Sequence, residues 1–118
     1  MSSLYENKID YRINSAINGA TGVSVVKSSA GNLHGWYIFN SGSSNAYVRF
    51  FNSETGNSGG LEAEAAMTAV APKSDGGTNL ELSGGVRFSS GICYNVSTNP
   101  TTLVPPATNA VNVTLFYR

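Results

Sequence analysis

The sequence predicts an all-β protein: a single-domain antiparallel β-sandwich, jelly-roll-like, with an N-terminal arm. Three observations predict it. Short runs of β-branched and aromatic residues alternate with Gly, Ser, Asn and Pro clusters at sandwich-like intervals. The closing run puts Val111, Val113, Leu115 and Tyr117 on one face, the period-two signature of a strand. Beyond residue 18 no stretch sustains a helical period. A length of 118 residues is that of one domain. It divides into an arm or strand over 1–21 and a sandwich over 22–118.

Taken in order, residues 1–18 are the most charged stretch and the only plausible helix. Ile9, Tyr11 and Ile13 at spacing two favour an extended arm or strand, and Asn18-Gly19 closes it with a turn signal. Val23–Lys27 reads as a short β-branched strand. In Trp36-Tyr37-Ile38-Phe39, Trp36 and Ile38 share one face and Tyr37 and Phe39 the other. Past Ser41-Gly42-Ser43-Ser44, Tyr47, Arg49 and Phe51 lie opposite Val48 and Phe50. These two runs read as a hairpin with a loop of about four to six residues. Both of its faces carry large apolar groups, so it is expected to be buried on two sides, with Trp36, Ile38, Val48, Phe50, Val113 and Leu115 inward.

Residues 53–60 read as a loop. Glu62–Met67 favours helix by propensity, and Met67–Ala71 reads as a strand. Asp75-Gly76-Gly77 is a turn signal. Leu80 and Leu82 alternate with Glu81 as in a half-exposed strand, Gly84-Gly85 reads as a break, and Val86–Phe88 and Ile92–Val96 as further strand pieces. A Thr/Pro/Asn loop spans 97–109 before the last strand. The total is seven or eight strands.

Composition narrows the function. Seven Lys and Arg balance seven Asp and Glu, and only 12% of residues are charged. So little charge argues against nucleic-acid or anionic-membrane partners. It also leaves copies of the chain little to repel each other. Cys93 is the only cysteine, so no intrachain disulfide forms, and its apolar setting predicts a buried, inert thiol. The opening MSSLYENKID lacks a basic segment followed by an apolar one, so no signal peptide is expected.

Catalytic and metal constellations are hard to build. His34 is the only histidine and reads as a turn or strand-edge residue. Glu62 and Glu64 at spacing two read as a solvated strand face rather than an acid–base pair. The expectation is therefore no enzyme activity, no cofactor and no metal. Asn95-Val96-Ser97 and Asn112-Val113-Thr114 fit the glycosylation pattern as chance matches. The rings keep a second class open: Trp36, Tyr37, Tyr47 and Phe50, with Asn40, Asn45 and Asn52, suit a carbohydrate-binding or tail/fibre adhesion module with an aromatic face.

The run Ala30-Gly31-Asn32-Leu33-His34-Gly35-Trp36-Tyr37-Ile38-Phe39-Asn40, followed by Tyr47-Val48-Arg49-Phe50-Phe51-Asn52, resembles a pattern in small virion structural proteins of tailed bacteriophages. Gly84-Gly85-Val86-Arg87-Phe88-Ser89-Ser90-Gly91-Ile92 and the terminal Val111–Tyr117 are similar to the same group. The resemblance runs from about residue 22 to the end, and the arm lies outside it. It implies a head decoration, or cement, protein, with a tail or fibre component next. The expected partners are the chain itself, as a trimer or dimer, and the major capsid protein or another virion protein. The expected location is the virion, after synthesis in the host cytoplasm. The candidate interface is Leu4, Ile9, Tyr11, Ile13 and Ile17 on the arm, with Tyr37, Phe39, Tyr47 and Phe51 on the aromatic runs.

Overall fold

The computed structural model describes residues 9–14, 23–56, 61–107 and 110–118. They form eight strands: β1 (Ile9–Asn14), β2 (Ser24–Lys27), β3 (Gly31–Asn40), β4 (Ala46–Asn52), β5 (Met67–Ala71), β6 (Gly76–Phe88), β7 (Ile92–Ser97) and β8 (Val111–Tyr117). The helix-favouring Glu62-Ala63-Glu64 makes one 3₁₀ turn ahead of β5. Every pairing is antiparallel. Sheet A has the order β1-β8-β3-β6 and sheet B the order β2-β7-β4-β5. This is the two-sheet order of an eight-stranded jelly roll.

The core lies between the sheets. Trp36, Ile38, Val48, Phe50, Val113 and Leu115 are all buried, as the alternation predicts. Trp36 on sheet A stacks on Phe50 of sheet B, with centroids 5.3 Å apart and planes 20° from parallel. Leu33, Phe88, Ile92, Tyr94 and Val111 complete the packing. Burying each such side chain contributes roughly 1.5–3 kcal/mol, so this layer dominates the fold's stability.

Two expectations change. The runs over β3 and β4 are not a hairpin, because β3 belongs to sheet A and β4 to sheet B. The five residues between them turn a corner from one sheet to the other. Asn40, buried at the end of β3, clasps that corner. Its Nδ2 donates to the carbonyls of Ser44 (2.9 Å) and Ala71 (3.0 Å), and its Oδ1 accepts from the Gly42 N–H (2.8 Å). The two apolar faces of the runs thus have separate causes: one is core, and the other differs between the sheets.

The second change is at Gly84-Gly85, which does not break the chain into two strands. Both residues sit at positive φ, 80° and 81°, inside the continuous β6. Opposite them β3 also slips register, Leu33 facing Val86 and Gly35 facing Glu81. The turn signal read at Asp75-Gly76-Gly77 lies slightly earlier, with Gly76 already in β6.

Of the segment 1–21, Ile9–Asn14 is a strand at the edge of sheet A, paired with β8 from Ile9↔Tyr117 to Asn14↔Asn112. The rest of that segment lies outside the described residues.

Candidate functional site

Each sheet has an outer face, and the two are built differently. On sheet B, the outward residues of β4 are Tyr47, Arg49 and Phe51. Arg49 is fully buried by the chain's own loops. Its Nε meets Glu62 Oε1 at 3.3 Å, its Nη1 donates to the Thr102 carbonyl at 2.9 Å, and its Nη2 to the Asn99 carbonyl. Thr68 Oγ1 donates to the same Glu62 carboxylate at 2.8 Å. Ser97 Oγ organises the covering loop, accepting from the N–H groups of Asn99 (3.0 Å) and Val104 (2.9 Å). The expected solvated Glu62/Glu64 strand face is therefore absent. Both residues are on the 3₁₀ turn, and Glu62 is the counterion of Arg49.

Phe51 is buried too, beside Cys93 of β7. Residues 53–56 fold back along this row. The Cys93 thiol donates to the Ser53 carbonyl at 2.9 Å. Burial pushes that thiol above its ordinary value, against smaller lowering effects from the Gly56 backbone and from Ser53. A protonated, enclosed sulfur is a poor nucleophile.

On sheet A, the central feature is a bulge in β3. Leu33 pairs with Tyr117 and Gly35 with Phe116, so His34 is an extra residue with nothing opposite it on β8. His34 is thus neither in a turn nor on an edge strand; it sits in an interior strand and is buried. Neither ring nitrogen has a hydrogen-bond partner, and neither does Trp36 Nε1. A cavity of about 290 Å³ opens here, lined by His34, Trp36, Tyr37, Glu81 and Phe116, with Asn79 and Leu80 at one side. A second hollow shares Tyr37 and Asn79 and continues along β3 to Phe39 and along β6 to Gly77. Tyr37, 55% exposed, stands between the two, with Asn79 opposite it across the strand pair.

Among the described residues, the candidate interface side chains Tyr37, Phe39, Tyr47 and Phe51 do not share one surface. Leu4 and Ile17 lie outside the described residues. Ile9, Tyr11 and Ile13 are in β1, opposite Tyr117, Leu115 and Val113. Tyr37 and the half-buried Phe39 are on the outside of sheet A. Tyr47 is half-buried on the outside of sheet B, and Phe51, being buried, is not available for contact.

The aromatic face of the carbohydrate reading is also dispersed. Trp36 and Phe50 are in the core, and Tyr37 and Tyr47 are on different sheets. The three amides hold loops: Asn40 as above, Asn45 by accepting from the Lys73 N–H at 3.0 Å, and Asn52 by accepting from the Ser90 N–H at 2.8 Å. Of the glycosylation-pattern asparagines, Asn95 is buried and Asn112 exposed.

Sequence reasoning missed Asn79, Glu81 and Phe116 as neighbours of Tyr37. Only the register of β6 and β8 against β3 brings them together, and the bulge resets that register. Among the described residues no three His, Cys, Asp or Glu side chains cluster as metal ligands, and no helix is long and apolar enough to cross a membrane. Comparison with protein-family models, with curated proteins and with solved structures finds no match to the chain.

Proposed function

We propose that this chain is a non-enzymatic structural protein of a tailed-bacteriophage virion: a capsid decoration, or cement, protein that stabilises the head. It works as a homo-oligomer, trimer or dimer, on the major capsid protein. The observation that carries the reading is an apolar surface on the sheet B side of a chain with no net charge. Val70 is 47% exposed and faces Tyr47 across β4 and β5. Tyr47 faces Ser97 on its other side, and the Ser97 hydroxyl ties down Val104, itself 44% exposed. Leu61, 41% exposed, precedes the Glu62 N–H that donates to Thr101 of the same loop.

A neighbouring subunit that covers these side chains gains their burial, and the lack of net charge opposes that approach little. Binding only the assembled shell stabilises that state by mass action. A symmetric oligomer multiplies modest contacts. The resemblance of residues 22–118 to small virion proteins gives the same reading.

Light scattering on the purified protein and mass spectrometry of source particles test it. The expected results are an oligomer that Val70→Asp shifts toward monomer at an unchanged melting temperature, and the chain present in the particles. A protein monomeric at every concentration and missing from particles overturns the proposal.

A further inference from the structure

We propose that β6 is an interaction edge: its segment 76–82 pairs antiparallel with the same segment of a second copy of this chain, joining two copies of sheet A into one continuous sheet. The pairing rests on the self-association in the reading above, not on the virion assignment, and it uses a different surface from the apolar one on sheet B.

The four edge strands are not alike. They are β1 and β6 in sheet A, and β2 and β5 in sheet B. An open edge templates pairing with other chains, and proteins block it with short strands, charges, proline and bulges. Strand β2 is four residues long, slips register between Val25 and Lys27, and ends on that lysine. Strand β5 is five residues long and runs into Pro72-Lys73. Strand β1 carries Asp10 and Arg12 between its apolar residues. Strand β6 runs for 13 residues, and among the described residues β3 is its only strand partner. Its segment 76–82 has no proline and no lysine, and its one charge is Glu81. Gly77, Asn79 and Leu80 are exposed there, Leu80 at 42%.

The backbone of this segment presents a ladder. The Leu80 carbonyl oxygen is turned toward β3, 2.3 Å from where a Cβ on Gly35 would stand. The Ile38 carbonyl oxygen answers it, 2.5 Å from where a Cβ on Gly77 would stand. Trp36↔Leu80 and Ile38↔Thr78 are thus the hydrogen-bonded pairs of the ladder. In an antiparallel pair such residues alternate along the strand with ones whose N–H and C=O point the other way. Gly77 and Asn79 therefore turn theirs to the open side.

The ends of the edge and its charge select the occupant. Before the segment, Ser74 and Asp75 have positive φ, 63° and 66°; beyond it, so do Gly84 and Gly85. Asn79 stands midway along the regular stretch. A two-fold axis through it aligns the whole of 76–82: Asn79 faces the partner's Asn79, and Glu81 faces the partner's Gly77, which has no side chain to oppose it. Leu80 gains cover from the partner's Thr78. An axis one residue nearer the turn sets Glu81 against the partner's Asp75, and one two residues nearer the bulge sets it against the partner's Glu81, like charges that oppose pairing. An axis one residue nearer the bulge brings the partner's Gly84 against Gly76 and shortens the ladder. Self-pairing also closes: it uses the bare edge of both copies at once, whereas a foreign strand would carry its own open edge outward. A ladder this short is small beside the roughly 800 Å² per partner of a standard interface, so the contact is concentration-dependent.

Asn79→Cys in the full chain reads the register directly. Facing Cα atoms of a hydrogen-bonded antiparallel pair are about 5.5 Å apart, within disulfide reach. Under mild oxidation the variant is expected to form a covalent dimer that peptide mapping assigns to position 79 joined to itself. Ser83→Cys, also exposed on β6, lies about 27 Å from its copy in this register and is expected to stay unlinked. Cys93 is buried and does not compete. Asn79→Pro removes only an outward N–H, so it is expected to keep the melting temperature and to weaken self-association about tenfold or more in light scattering. Val70→Asp is expected to lower the oligomer mass yet leave the Asn79→Cys cross-link, which separates this contact from the one on sheet B. No cross-link through Asn79→Cys at ~1 mM protein, or equal linking through Ser83→Cys, overturns the pairing. A foreign strand linked at position 79 in place of a second copy overturns it too. If the chain is nevertheless present in source particles, the pairing alone fails and the virion reading stands.

Discussion

Arg49 shows how one residue fixes an outer face. Its alternation with Val48 and Phe50 sends it away from the core, where a guanidinium ordinarily meets water. Instead Asn99, Thr102 and Glu62 enclose it, so it pins the loop after β7 and the 3₁₀ turn onto β4 at once. Arg49→Met is expected to destabilise the protein by about 2–4 kcal/mol, because buried carbonyls lose charged donors and the covering loops lose their anchor. Glu62→Gln is expected to cost about 1 kcal/mol or less, since that carboxylate is partly exposed and an amide still accepts from Arg49 and Thr68. Urea denaturation of the two variants measures the difference. Equal losses would mean that the ion pair, not the carbonyl cage, holds the loops. The inward parity of Trp36, Ile38, Val48 and Phe50 was legible because alternation is a local property. The burial of Arg49 was not, because its cover comes from the loop carrying Asn99 and Thr102, 50 and 53 positions away, and from Glu62 on a separate turn. Asn40, Asn45 and Asn52 misled for the same reason: a short amide at a strand end looks like a ligand group until its distant carbonyl or N–H partner is in place.

At the scale of elements, strand β6 and the β3–β4 corner carry the same lesson. A five-residue polar break between two apolar runs has the local chemistry of a hairpin, and only the partners of each strand decide whether it closes one or turns between sheets. The Gly84-Gly85 pair likewise has the chemistry of a break, yet it serves as a bulge that accommodates His34. Both glycines occupy the left-handed region that side chains avoid, but their surroundings differ. A Cβ on Gly84 meets nothing within 4 Å. One on Gly85 would lie 2.9 Å from His34 Cε1 and 3.0 Å from Asn32 Cβ. Gly84→Ala should therefore cost only the backbone strain, about 1–2 kcal/mol. Gly85→Ala should cost more, because the His34 ring must also give way. Midpoints of urea unfolding rank the two. A larger loss at Gly84 would show that the bulge does not pack on His34. Gly85→Ala should also disturb Trp36 emission through the shared cavity, which Gly84→Ala should leave alone.

For the whole molecule, the jelly-roll order makes the two ends of the described chain unequal. Strand β8 lies inside sheet A, between β1 and β3, and delivers Val111, Val113 and Leu115 to the core. Strand β1 is its outer neighbour, at the edge. Removing residues 111–118 takes away a central ladder on both sides and three fully enclosed apolar side chains. At roughly 1.5–3 kcal/mol each, those side chains alone approach the 5–15 kcal/mol by which a domain of this size is stable. That truncation is expected to abolish folding. Removing residues 1–14 takes away one edge ladder and leaves β8 paired with β3. It is expected to lower the melting temperature while keeping the β-sheet signature, and to expose a new β8 edge open to pairing with other chains. The segment expected as an arm thus acts in part as a guard strand, which the sequence shows only as Ile9, Tyr11 and Ile13 at spacing two. Circular dichroism, thermal melts and light scattering on both truncations decide the matter. A folded chain without 111–118, or an unfolded one without 1–14, would mean that the stability of sheet A is distributed the other way round.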